Sequence, residues 1–287
     1  MTLMHVIAGW MLCAVLTGCS QVREPYESSN REALRHMETS AASMWTGMDD
    51  NLSEEEAIIH GKRMMDTGIA QTHATHDVAP LMHARMYFES LLERYPDRPL
   101  IRYYIGYCNY HCALALMETN QDVAEDMIDG ALEALEQGLE NNLEWAEGWA
   151  LLSSCYGIKA SFGTFSGMTY GPKSGSAIEK ARTLAPENPR VLLVAGINKF
   201  YTPSAFGGDK NEALGLFRRS AAIFDAQNKQ PTAQPDWGHE EAYTYIGIVM
   251  RDQGDTTAAR AAFRKVLAIN PEFGWVKHVL LPELGKD

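Results

Sequence analysis

From about residue 53 onward, apolar side chains recur at spacings of three and four through successive segments of roughly fifteen to twenty residues. Almost no stretch alternates as a strand would. The segments are broken at Pro96, Pro99, Gly163, Pro172, Pro186, Pro189, Pro203, Gly207, Gly208, Pro231, Pro235, Gly254 and Pro271, residues that end helices or start turns. The pattern predicts an all-α chain of many short antiparallel helices.

A second regularity lies on top of the first. Between Glu240 and Phe273, Tyr243, Ile246, Gly247 and Met250 mark one helix, Ala259, Phe263 and Val266 the next, and Pro271 the end. Small residues are expected where two helices cross closely, and a large one where a gap must be filled. The order recurs in Ala84, Phe88, Leu91 and Pro96, and in Ile105, Gly106 and Asn109 followed by Ala131, Leu135 and Gly138. It recurs again in Trp149, Leu152, Ser153 and Tyr156 followed by Ala181 and Pro186, and in Leu192, Ala195 and Gly196 followed by Ala213, Phe217 and Ser220. These positions resemble the tetratricopeptide repeat. The resemblance implies an α-solenoid of about five helical hairpins, with an incomplete unit from Ser53 and a capping helix from Glu272 to Leu284. Such arrays are binding scaffolds, so no catalytic residues and no cofactor are expected.

Three regions follow. Residues 1–18 read as a lipoprotein signal peptide, because Met4 to Thr17 is uncharged and largely apolar yet too short to span a bilayer, and Leu16-Thr17-Gly18-Cys19 resembles a lipobox. No Lys or Arg precedes the apolar run. Cys19 is then the lipidated mature N-terminus, and Ser20 after it points to an outer membrane facing the periplasm. Residues 19–52 are a polar tether becoming helical, and residues 53–287 form the repeat domain. Asn228 to Gly238, with two prolines, is expected to be the soft connection between the fourth and fifth hairpins.

In the repeat family the first helix of each hairpin lines the inner, concave face. The resemblance therefore places Tyr103, Tyr107, Tyr110, Ser154, Leu193, Ile197, Phe200, Thr244 and Ile248 along a groove for a protein or peptide partner, or a small solute. Tyrosines suit recognition because they join apolar area to a hydrogen-bonding tip; layer-to-layer packing explains them equally well. Two glycine- and aromatic-containing stretches, Gly163 to Pro172 and Thr202 to Asp209, are expected as neighbouring loops between first and second helices. On that expectation Phe165, Tyr170, Tyr201 and Phe206 close the groove edge.

The remaining chemistry is sparse. A net charge of -12 disfavours nucleic acid and anionic lipid as partners, leaving the N-terminal lipid as the contact with the membrane. Cys108, His111 and Cys112 share a helical stretch, but no fourth metal ligand is evident and the spacing is not that of haem attachment, so Cys108 and Cys112 read with Cys155 as buried small hydrophobes. His73, His76 and His83 near Asp77 are better explained as polar turn residues than as a metal site. Gly171-Pro172-Lys173-Ser174-Gly175-Ser176 lacks phosphate-loop spacing, so Ser174 or Ser176 is expected to cap a helix. Gly196 to Ala213, Asn188-Pro189-Arg190 and Phe273-Gly274-Trp275-Val276-Lys277 are similar to uncharacterised exported repeat proteins of Gram-negative bacteria. More distantly the chain resembles the lipoprotein T components of tripartite periplasmic uptake systems. That second likeness implies an alternative role in handing a small hydrophobic solute to a solute-binding partner.

Overall fold

A computed structural model describes residues 52–75, 77–227 and 232–285. Cys19, the signal-peptide and tether regions, and the side chains of His73 and His76 lie outside the described residues. Among the described residues ten helices of thirteen or more residues follow one another: Glu54–Thr75 (α1), Ala79–Arg94 (α2), Pro99–Leu116 (α3), Gln121–Leu139 (α4), Ala146–Ser161 (α5), Thr164–Leu184 (α6), Pro189–Tyr201 (α7), Lys210–Ala226 (α8), His239–Asp252 (α9) and Thr256–Ile269 (α10). After Phe273 a short helical segment, with a π-type turn at Val276–Leu280 and an end at Leu281–Glu283, packs on α10.

Local signals start several of these helices. Ser53 and Glu56 form a reciprocal capping box, the Glu56 carboxylate accepting from the Ser53 amide at 2.9 Å. Asn120, Asn188, Asp209 and Asp255 each accept from backbone amides one turn into α4, α7, α8 and α10. Pro99 and Pro189 stand at helix starts, where the missing N–H costs nothing.

The helices pair in sequence as five antiparallel hairpins, α1–α2 to α9–α10, and each second helix packs on the first helix of the next hairpin. First helices also touch successive first helices, whereas second helices have no comparable contact with one another. The first helices therefore form the tighter inner wall of a curved stack. The segment beginning at Ser53 is the first helix of a complete hairpin, not an incomplete unit.

One packing rule repeats through the stack. A Cβ placed on Gly61 would lie 2.7 Å from the Phe88 ring, on Gly106 2.8 Å from Leu135, on Gly196 2.5 Å from Phe217 and on Gly247 2.3 Å from Phe263. Each glycine of a first helix thus gives a large residue of the second helix its place against the backbone. Phe88, Phe217 and Phe263 are wholly buried, worth about 2–3 kcal/mol each. The third hairpin solves the same approach differently. Ser153 Oγ donates to the Ser174 carbonyl and Ser174 Oγ to the Ser153 carbonyl, both at 2.8 Å. Ser174 lies in the buried interior of α6, and Ser176 is also inside that helix, so neither caps it.

The largest departure from the sequence reading is α6 itself. Gly163 to Pro172 is not a loop; Thr164 opens a helix that runs through Pro172 to Leu184. Tertiary contacts outweigh its poor local propensity: Tyr170 stacks on Tyr156 of α5 at 5.9 Å and Ser166 Oγ donates to the Lys159 carbonyl at 2.6 Å. Pro172 is exposed, so water can reach the carbonyl that loses its helical partner. Thr202 to Asp209, by contrast, is a connection with a single 3-10 turn at Ser204–Phe206.

Candidate functional site

The inner wall carries a covering. Of the expected soft connection, residues 228–231 lie outside the described residues; residues 232–238, between α8 and α9, instead cross the first helices of the first two hairpins and of the fourth. Their exposure alternates, with Thr232, Gln234 and Asp236 open to solvent and Ala233 and Pro235 buried. That period of two belongs to an extended chain lying against a surface.

The wall meets this strap with donors. Lys62 Nζ, on α1, donates to the carbonyls of Thr232 and Gln234 at 2.7 Å each and pairs with the Asp236 carboxylate at 3.0 Å. Tyr104 Oη, on α3, donates to the Ala233 carbonyl at 2.6 Å. Trp237 packs its ring against Tyr107 at 5.3 Å and donates its indole N–H to Tyr103 Oη at 2.8 Å. The Trp237 carbonyl accepts from Arg190 Nη1 at 3.5 Å, and Arg190 is itself held by Glu147 of α5 through Nε at 2.9 Å and Nη2 at 2.7 Å. Gly238 ends the strap at φ 110°, where an L side chain is strained and a Cβ would sit 2.9 Å from Phe224.

The electrostatics follow from crowding. Asp66, one turn beyond Lys62, is exposed at the surface of the concavity, yet partial desolvation by the protein packed around it and the Asp236 carboxylate raise its pKa to about 6, with Glu240 adding to them against Lys62. Burial pushes the phenols of Tyr103, Tyr104 and Tyr107 well up, so they stay neutral hydrogen-bonding groups. Beside the strap, an open depression of about 770 Å³ is lined by Pro99, Leu100, the Glu140 to Trp145 turn and Gln234.

Residues 241–272 match the tetratricopeptide repeat model. A tetratricopeptide repeat protein of the thermophile Thermus thermophilus superposes with a TM-score of 0.52 at 17% identity, covering 78% of this chain and 98% of that one. The fold is a tetratricopeptide-type solenoid. The HusA haemophore of Porphyromonas gingivalis superposes with a TM-score of 0.48 at 20% identity, over 66% of this chain and 94% of its own. No curated protein sequence matches the chain.

Within the solenoid the sequence-predicted groove residues divide. Tyr103 and Tyr107 lie on the inner wall but are covered, 0% and 3% exposed, with Trp237 against both. Tyr110, Ser154, Ile197 and Phe200 are half-buried. Leu193, Thr244 and Ile248 are buried instead of projecting into a groove; Thr244 Oγ1 donates to the Glu240 carbonyl of its own helix at 2.8 Å. Tyr201, the last residue of α7, is half-buried and meets the Tyr245 ring edge-on at 6.2 Å. Tyr170 sits on α6 between Lys159 and Lys173. Phe165 and Phe206 are the exposed pair, 87% and 82% open, with Phe165 on a helix and not on the expected loop.

Cys108, Cys112 and Cys155 are buried free thiols, and burial raises their pKa, that of Cys112 to about 12. Sequence reasoning missed Lys62, Tyr104, Arg190 and the strap. A usable signal existed in Trp237: a tryptophan inside a proline-containing connection carries too much apolar area to be left in water.

Proposed function

We propose that this protein is a membrane-tethered envelope scaffold that binds a protein partner along the inner wall of its solenoid. The observation that carries the reading is that this wall already binds an extended segment, through side-chain donors aimed at main-chain carbonyls and an aromatic surface under Trp237. Such a surface recognises a polypeptide more than a compact solute, because its polar groups follow the repeat of a chain. The half-buried Tyr110, Ser154, Ile197 and Phe200 supply the wall beyond the strap. Tethering through Cys19 rests on the Leu16 to Cys19 motif and the apolar run before it.

Two experiments test the parts separately. A photo-cross-linking amino acid at Ser154 or Ile197 should capture a defined partner in intact cells, whereas one at exposed Phe165 on α6 should not; equal yields at all three positions argue against inner-wall binding. Metabolic labelling with a fatty-acid probe should mark the native chain and not Cys19→Ala. Labelling of both would remove the tether.

A further inference from the structure

We infer that residues 232–238 are a resident substitute for the partner, and that the wall beneath them is a docking site for an extended protein segment bearing an acidic residue followed by a large aromatic one. This deepens the scaffold reading and rests on it.

Lys62 is 4% exposed, and among the described residues its acceptors are two strap carbonyls and the Asp236 carboxylate. A buried ammonium needs partners; Asp66, one turn along α1, acts on it through space, but the hydrogen bonds and the close ion pair all come from the strap. With the strap lifted, the wall presents the Lys62 ammonium beside Asp66, the Tyr104 hydroxyl, the Arg190 guanidinium already held by Glu147, and the Tyr103 and Tyr107 rings, a surface richer in donors and aromatic faces than in acceptors. Its complement is a segment of acceptors. The strap fits because the carbonyls of residues 232 and 234 point to Lys62 while that of 233 points to Tyr104, as alternate carbonyls of an extended chain must.

Most of this recognition reads main chain and would accept many sequences. Selectivity is confined to Asp236 on Lys62 and Trp237 on Tyr103 and Tyr107, which defines the acidic–aromatic pair the partner must carry. Pro235 lies buried in the strap without an N–H to give, so proline is tolerated before that pair. The open depression at Gln234 gives an incoming segment a place alongside the strap before exchange.

The test uses the peptide Thr-Ala-Gln-Pro-Asp-Trp-Gly, fluorescently labelled, against the full chain and two variants. In one, residues 232–237 become alternating Gly and Ser; in the other, Trp237→Ala alone loosens the strap. A segment held in cis competes at an effective concentration of order millimolar. The native chain should therefore bind the peptide about a hundredfold more weakly than the Gly-Ser variant, with Trp237→Ala between them. Adding Lys62→Met to the Gly-Ser variant should abolish binding, as should replacing Asp or Trp in the peptide by Ala. The inference is overturned if both variants keep their helicity and neither binds more tightly than native. It is equally overturned if the Gly-Ser variant loses its helicity and Trp237→Ala shows no gain, since the strap is then a fixed part of the core. Cross-links at Ser154 or Ile197 that persist in that case would leave the scaffold reading standing without the exchange.

Discussion

The indole N–H of Trp237 donates to the hydroxyl of Tyr103 at 2.8 Å across 134 residues of sequence. Trp237 also packs against all three apolar clusters of the core, so one side chain in a connecting segment joins the two ends of the curved stack. Trp237→Ala should cost about 2 kcal/mol, less than a fully buried tryptophan because the ring is half-buried. Melting should fall by roughly 4–8 °C, and the amides of residues 232–237 should exchange faster while those of α9 and α10 do not. An unchanged melting temperature would show that the strap contributes nothing to the fold.

The glycine crossings make a sharper test. In an exposed helix Gly→Ala gains about 1 kcal/mol, but Gly247→Ala would set a Cβ 2.3 Å from Phe263. Overpacking of this kind costs about 1–3 kcal/mol and should win, giving a net loss in urea unfolding. Gly247→Ala combined with Phe263→Leu should recover most of it. A stabilised single variant would contradict the close crossing.

Glu147 and Arg190 are a largely buried pair, with Asn188 Nδ2 also donating to Glu147 at 2.7 Å. Glu147→Gln leaves the guanidinium without its countercharge and should destabilise by about 3–5 kcal/mol. Replacing both by leucine should be much milder. Chemical denaturation of the three variants decides it, and equal losses would mean that the pair acts through shape and not charge.

Asp66 gives a pH dependence with a definite sign. Its pKa is raised from 3.8 to about 6 in the folded chain, so its contribution to stability is full below about pH 4 and is lost as pH rises through 6. Because the residue is exposed at the surface of the concavity, solvent screening limits the effect to about 1 kcal/mol. Asp66→Asn should be more stable than the native chain at pH 7 and equal to it at pH 4. Parallel stability profiles for the two proteins from pH 4 to 7 would remove the effect.

The described cysteines should be inert. Cys108, Cys112 and Cys155 are buried with thiols pushed upward, and reactivity needs an accessible thiolate. Iodoacetamide at pH 8 should leave all three unmodified in the native chain and alkylate them in urea. Rapid native labelling at any one would show that its helix pair opens readily.

The solenoid was legible in the sequence because its interactions are short-range. Gly247 and Phe263 belong to one hairpin, and the need of two crossing helices for a small residue opposite a large one repeats each time a hairpin is built. The same local rule placed Gly106 against Leu135 and Gly196 against Phe217. Where local and tertiary preferences disagreed the reading failed: the glycines and Pro172 near Phe165 argue for a loop, but Tyr170 on Tyr156 holds a helix. The strap was invisible for a stronger reason. Lys62 and Asp236 are distant in sequence, and no periodicity relates a residue of the first helix to a connection before the ninth. Sequence by itself determined which helices pair and where they cross closely, because those follow from spacing within a few turns. That the inner wall is occupied, and by which segment, was decided only when the curvature of the whole stack brought its two ends within reach.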